Sequence, residues 1–222
     1  MKLNWDRQAL ITYFSDHKNI EKSPKMASYM KNRFPFLGID SPLRTDLLKR
    51  YFSQYELPPA SQAWDEVFAL YELPEREYHY AAIALIGKIQ PSIEDIGLIR
   101  QIIETKSWWD SVDSIAPSIL GNIVRRNREK GEEVMRNWSL SDNFWVVRAA
   151  LLHQLKYKAE TNECLLFSMI ERHADSEEFF VQKAIGWVLR EYAKTNPENV
   201  RKFVKSIELK PLSRREALKH IQ

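Results

Sequence analysis

The segments Trp109-Asp110-Ser111-Val112-Asp113-Ser114-Ile115-Ala116-Pro117-Ser118-Ile119, Phe144-Trp145-Val146-Val147-Arg148-Ala149-Ala150-Leu151-Leu152-His153-Gln154 and Phe179-Phe180-Val181-Gln182-Lys183-Ala184-Ile185-Gly186-Trp187-Val188-Leu189 align without a gap at a spacing of 35 residues. In this frame Trp109 is matched by Phe144 and Phe179, Asp113 by Arg148 and Lys183, and small residues coincide at Ser114, Ala149 and Ala184. The apolar spacing within each segment is helical rather than alternating. A fixed period of this length, built from helices, is the signature of stacked helical hairpins of the HEAT or armadillo kind. It predicts an all-α fold, a HEAT-like helical-repeat solenoid (an α-α superhelix), with residues 1–222 as a single repeat domain. A serine precedes each segment (Ser107, Ser141, Ser176) and is expected to cap the helix that follows; Ser107 and Asp110 together read as a capping box.

Helix faces in such a stack line up. Asp113, Arg148 and Lys183 are therefore expected to form a column on successive helices, neighbours being roughly 8 to 10 Å apart. Trp109 lies one turn before the first member and Trp187 one turn after the last, so one acid, two cations and two indoles converge. Taken alone, Ser107 to Asp113 is equally an amphipathic helix with core tryptophans and a solvated aspartate; the period is what favours a site.

Composition sets the outer bounds. A chain of 222 residues and 26.2 kDa can bury a continuous core without a second domain. A hydrophobic fraction of 44%, a charged fraction of 28%, 6 Gly and 10 Pro leave most of the chain free for helix. The net charge is only +3, so a nucleic-acid surface must be a local patch. The single Cys164 excludes an internal disulfide; flanked by Leu165, Leu166 and Phe167, it reads as a small buried residue in a reducing cytoplasm. The N-terminus lacks a signal-peptide core, and no run approaches the roughly 18 apolar residues of a spanning helix. The histidines at 17, 79, 153, 173 and 220 show no ligand spacing, so neither a metal nor another cofactor is expected.

Outside the repeats, capping and proline signals predict helices from Asn4 to His17, Ser23 to Phe34, Ser41 to Tyr55, Trp64 to Tyr71, Pro74 to Lys88, and one beginning at Pro91-Ser92. Further helices are expected over Thr161 to His173, Pro197 to Ile207 and Ser213 to Ile221. Arg125-Arg126-Asn127-Arg128 reads as a solvated helix terminus. Pro117 lies four residues after Asp113 and removes the hydrogen bond to its carbonyl. It either bends this helix or marks its boundary.

Ser107 to Ala116, Phe144 to Lys158 and, above all, Glu178 to Lys194 closely resemble the AlkD family of bacterial alkylpurine DNA glycosylases, and the likeness runs from Phe36-Leu37-Gly38-Ile39 to Pro211-Leu212-Ser213-Arg214-Arg215-Glu216. The resemblance implies a concave basic groove that grips duplex DNA and excision of N3- and N7-alkylated purines, with the lesion left stacked rather than flipped. It makes Asp113 the catalytic carboxylate, Trp109 and Trp187 the walls around the lesion's sugar, and Arg148 a phosphate contact at the catalytic site. Lys156 and Arg190 match the family's phosphate positions, and Lys183 joins them. Near the N-terminus the family tends to show a polar amide, Thr-Pro and paired arginines, whereas this chain has Asp40-Ser41-Pro42-Leu43-Arg44-Thr45. One cation is missing and one anion added, which puts the DNA contacts of Ser41 and Arg44 in question. The implied protein is a cytoplasmic monomer whose partner is double-stranded DNA containing alkylated bases.

The chemistry fits these residue types. A purine alkylated at N3 or N7 is already cationic and leaves as a neutral base without a general acid. What remains is positive charge growing on the deoxyribose, which a carboxylate stabilises while accepting a proton from the attacking water. Aromatic faces beside the sugar add cation–π stabilisation. Two other readings use the same residues: a helical-repeat scaffold whose groove binds an acidic protein partner, and a non-catalytic DNA-binding relative. Asp113 discriminates against the first, since an anion-binding groove has no use for it; the set Trp109, Asp113, Arg148 and Trp187 discriminates against the second.

Overall fold

The computed structural model describes residues 1–219, whose regular elements are all helical with no named strand; the one β-type contact among them is an isolated parallel bridge between Leu3 and Tyr55. The chain divides into two compact units, residues 1–90 and 91–222.

The first unit holds α1 (Arg7–Ser15), α2 (Ser23–Tyr29), α3 (Ser41–Gln54), α4 (Ala63–Glu72) and α5 (Arg76–Ile89). The expected third and fourth helices are found within a residue or two. The first begins later than expected, because Asp6 rather than Asn4 caps it, accepting from the Ala9 N–H at 3.0 Å. The second stops at Tyr29, short of Phe34, because Lys31 and Asn32 adopt positive φ. Glu77 organises the loop that follows. Its carboxylate is fully buried and accepts from the backbone N–H groups of Leu37, Gly38 and Ile39 at 2.9–3.0 Å. Three convergent donors are what a buried carboxylate needs to offset its lost hydration. Gly38 is required there: its φ is +91°, and a Cβ would stand 2.0 Å from the Asn19 carbonyl oxygen.

The second unit begins with a 3₁₀ turn (Ile93–Asp95) capped reciprocally by Ser92, then α6 (Ile96–Glu104) and α7 (Trp109–Ile115). A π turn, Ala116–Leu120, leads directly into α8 (Gly121–Arg126). Pro117 therefore neither ends nor sharply breaks the helix. Around it the hydrogen bonding widens, so that the Gly121 N–H reaches back five residues to the Ala116 carbonyl; a wider turn is how a helix absorbs a missing donor. Then follow α9 (Arg128–Trp138), α10 (Phe144–Leu152), a 3₁₀ turn (Lys158–Glu160), α11 (Glu163–Arg172), α12 (Phe179–Tyr192), α13 (Pro197–Ser206) and α14 (Pro211–Ala217). The expected last helix extended to Ile221, and its end lies outside the described residues.

The 35-residue period is realised as packing. α10 lies between α7 and α12, and α12 in turn packs on α14. α10 is buried from Trp145 to Leu152, as the central layer of a stack should be. The expected serine caps are corrected. Ser107 donates back to the Ile103 carbonyl and α7 starts beyond it, while α10 and α12 are capped by Asn143 and Glu178, which accept from Trp145 and Phe180 N–H. Ser141 and Ser176 accept instead from the cap residues' own N–H groups. The caps stand one residue before each helix, so the serines come too early to fill them. Cys164 is also corrected: it sits on the outer side of α11 and is exposed, while Leu165 and Leu166 carry that helix's buried side.

Candidate active site

An open cleft of about 310 Å³ in the second unit is lined by Trp109, Asp113, Arg148, Phe179, Phe180, Lys183, Trp187, Arg190 and Glu216. The stack accounts for this convergence. α7 delivers Trp109 and Asp113 from one face, α10 delivers Arg148, and α12 delivers Phe179, Lys183, Trp187 and Arg190 at helical spacing.

At the centre, Arg148 and Asp113 form a bidentate ion pair. Nε donates to Oδ1 and Nη2 to Oδ2, both at 2.8 Å. The Arg148 side chain is 5% exposed and that of Asp113 is 16% exposed, so the carboxylate rather than the guanidinium faces the cleft. Arg148 Nη1 donates to the Phe180 carbonyl, which ties α10 to the first turn of α12. A guanidinium in a helix otherwise buried all round requires such pairing. Burial raises the Asp113 carboxyl above the ordinary carboxylate range, and the hydrogen bonds and charge of Arg148 offset part of that rise.

Behind the carboxylate lies an aromatic wall. Trp108, Trp145 and Phe180 pack with ring centroids 4.7–5.7 Å apart, and Phe144 stacks on Phe180 at 6.3 Å. Trp108 is core at 7% exposure, whereas Phe179 stands 55% exposed at the edge of the cleft. Trp109 and Trp187 are partly exposed and line the cavity.

The cations that α12 brings to the cleft are occupied. Lys183 Nζ lies 3.1 Å from Glu216 Oε1, and Arg190 Nη1 lies 2.6 Å from Oε2. The Lys183 hydrogen bond and then that of Arg190 hold the Glu216 carboxyl below the usual range. Gly186 makes this approach of α14 possible, since a Cβ there would meet Glu216 Cβ at 2.4 Å and the Ser213 carbonyl oxygen at 3.0 Å.

Of the residues expected from sequence, Trp109, Asp113, Arg148, Lys183, Trp187 and Arg190 share this one cleft. Lys156 is exposed, outside the cleft lining, and donates to Ser118 Oγ at 2.8 Å. Ser41 and Arg44 belong to the first unit, on the first turn of α3; Arg44 Nη2 lies 3.3 Å from Ser41 Oγ and its guanidinium sits 4.1 Å over the Tyr80 ring. The added anion there, Asp40, caps α3 by accepting from the Leu43 N–H and pairs with Lys22 at 2.6 Å. Sequence reasoning missed Glu216 and the aromatic pair Phe179 and Phe180 as site residues. Phe179 had a usable signal, since it repeats Trp109 in the period; Glu216 had none beyond its place in the matched tail. Among the described residues no group of three or more His, Cys, Asp or Glu is arranged to hold a metal ion, and no helix is long and apolar enough to cross a membrane.

Comparison with known proteins gives this geometry its context. Residues 10–221 match the DNA alkylation repair enzyme family. The chain belongs to that family. A solved structure described as a predicted DNA alkylation repair enzyme from Enterococcus faecalis superimposes with a TM-score of 0.84 at 38% identity, covering 92% of this chain and 96% of that one. Two structures from Streptococcus mutans share the fold at lower identity. The protein smu.31 matches with a TM-score of 0.65, 18% identity and coverage of 82% and 96%; AlkD2 matches with 0.65, 19%, and 80% and 90%. No protein of curated function matches the chain in sequence. Membership of the DNA alkylation repair enzyme family makes DNA the macromolecule with which the cleft is to be read.

Proposed function

We propose that this DNA alkylation repair enzyme is a glycosylase that hydrolyses the N-glycosidic bond of cationic N3- and N7-alkylated purines in duplex DNA. The observation that carries the proposal is the half-buried Asp113 carboxylate, fixed at both oxygens by Arg148 and bordered by Trp109 and Trp187 in an open cleft. The alkylated base leaves as a neutral molecule. The electron pair of the C1′–N bond departs with it, and positive charge gathers on the sugar. Asp113 stabilises that charge and takes a proton from the attacking water, which supplies the new C1′–O bond. The indole faces stabilise the same cation.

Arg148 fixes the carboxylate's direction before substrate arrives, which is the preorganisation that electrostatic catalysis requires. Lys183 and Arg190, with Lys156, Ser41 and Arg44, contact backbone phosphates, whereas Arg148, expected as a phosphate contact, is engaged by Asp113 and the Phe180 carbonyl. An open cleft suits a lesion that stays stacked, because a flipped base needs a deep pocket to receive it. The test is release of methylated purine from duplex DNA treated with a methylating agent, with single-stranded DNA and unmodified duplex as comparisons. Absence of purine release under saturating enzyme would refute the assignment.

A further inference from the structure

Glu216 poses a problem for a polyanion-binding cleft. It is the second carboxylate in the lining, and it lies on the two cations best placed to meet DNA phosphates. Each oxygen takes one cation: Oε1 faces Lys183 at 3.1 Å and Oε2 faces Arg190 at 2.6 Å. Arg190 also donates to the Glu216 main-chain carbonyl at 3.3 Å. A phosphate uses its oxygens on a Lys–Arg pair in this same bridging way.

The backbone of α14 is not free to leave. Ser213 and Ala217 are fully buried, Ser213 Oγ donates to the Gln182 carbonyl at 3.2 Å, and Gly186 lets the two helices touch. The Glu216 side chain retains some exposure, at 16%, as do Lys183 at 38% and Arg190 at 22%. Exchange of partner therefore needs only a side-chain rotation at the rim.

We infer that Glu216 is an internal stand-in for a DNA phosphate: it holds Lys183 and Arg190 together in the free protein and is displaced when the backbone of a duplex enters the cleft. The inference rests on the reading of the cleft as a DNA-binding site. Glu216 thereby lowers affinity for DNA in general and prevents the two cations from repelling each other before binding. The alternative is a fixed brace, in which the carboxylate stays on both cations in the complex and aims them. The two differ in sign. Displacement predicts that removing the charge tightens binding, whereas a brace predicts that it loosens binding.

The experiment is a fluorescence-anisotropy titration of an unmodified duplex with parent, E216Q, K183Q and the K183Q/E216Q double variant across a range of salt concentrations. E216Q is expected to bind roughly threefold to tenfold more tightly than the parent, the scale of partly exposed ion pairs. K183Q should then cost more affinity in the E216Q background than in the parent, because Lys183 no longer divides its charge. Equal or weaker binding by E216Q overturns the inference, as does a smaller K183Q effect in the E216Q background. If E216Q does not fold, the parent alone decides through side-chain ammonium NMR: the Lys183 NH₃⁺ signal must shift and gain a coupling to phosphorus on adding duplex, and an unchanged signal in a protein that binds duplex refutes displacement. A parent that binds no duplex removes the underlying reading as well, so the two failures are separable.

Discussion

Replacing Asp113 with asparagine keeps the shape of the side chain and one acceptor for Arg148 while removing the negative charge. The size of the effect follows from the geometry. A unit positive charge on the sugar, held about 4 Å from the carboxylate in surroundings of effective dielectric about 20, is stabilised by about 4 kcal/mol. Arg148 lies on the buried side of the carboxylate in both proteins, so its repulsion cancels in the comparison. Since the transition state carries most rather than all of a unit charge, the loss should be between two and three decades in excision rate, in the range observed when a single electrostatic stabiliser is removed from other enzymes. Affinity for duplex DNA should stay equal or improve, because a negative charge has left the cleft. The assay is single-turnover release of methylated purine at saturating enzyme, beside a binding titration and a thermal melt of the same preparation. A folded Asp113→Asn protein that excises at the parental rate would refute the role of the carboxylate and the charge argument with it.

Four further outcomes are expected. Because burial raises the Asp113 carboxyl, excision should be lost on the acid side at a higher pH than an ordinary carboxylate gives, and a pH–rate profile reads this directly. The same raised value means the native state holds this proton more tightly than the unfolded one, so Asp113 contributes less to stability as pH rises through its native range; denaturant midpoints above and below that range, parent against Asp113→Asn, check the sign. Arg148→Lys cannot span both Asp113 oxygens and the Phe180 carbonyl, so single-turnover rates should fall at least about tenfold; Arg148→Ala, which removes the charge, should leave the salt slope of DNA binding unchanged, and a slope flatter by about one unit would assign Arg148 to a phosphate instead. Gly186→Ala places a Cβ 2.4 Å from Glu216 Cβ, so α14 must shift and the protein should lose about 1–3 kcal/mol in a urea melt.

What was legible in the sequence was periodic. The 35-residue frame placed Asp113 and Arg148 side by side on neighbouring helices, and the same frame put Lys183 and Trp187 in one cleft with them. What was hidden lay off the period or looked like something else. α9 was missed because Arg128 to Glu133 is almost wholly charged and contains Gly131, a poor helix former; its apolar stripe is narrow, Gly131, Met135 and Trp138, and the glycine is there to let Val124 Cα approach to 2.9 Å from an added Cβ. Ser141 and Ser176 stand two positions too early to cap, because Asn143 and Glu178, the true caps, stand between them and the helices. The direct pairing of Asp113 with Arg148 was also invisible: a column of residues gives neighbours, and only the reach of the long, buried guanidinium to the short carboxylate makes them partners. Glu216 lies outside the repeat altogether, and nothing local to it distinguishes it from any solvated glutamate.

The π turn around Pro117 alters the rotational phase of the helix that carries Asp113. An α-helix advances about 100° per residue, and a wide turn accommodates roughly one residue more than an ordinary turn does. α8 is therefore out of register with α7: the face that points Asp113 at Arg148 is not continued by the same sequence pattern beyond Leu120, where Gly121, Ile123 and Val124 are turned into the core. Gly121 marks the join, with the His153 carbonyl oxygen 2.4 Å from where its Cβ would be. Winding the same residues as a regular α-helix, with Pro117 replaced by a good helix former, would restore regular hydrogen bonding, and by the usual measures of helix quality it would be an improvement. It would also rotate the Asp113 turn by about 100° relative to the segment that follows Leu120, taking the carboxylate off Arg148. In this helix the irregular turn sets the aim of the acid, and an idealised backbone would miss.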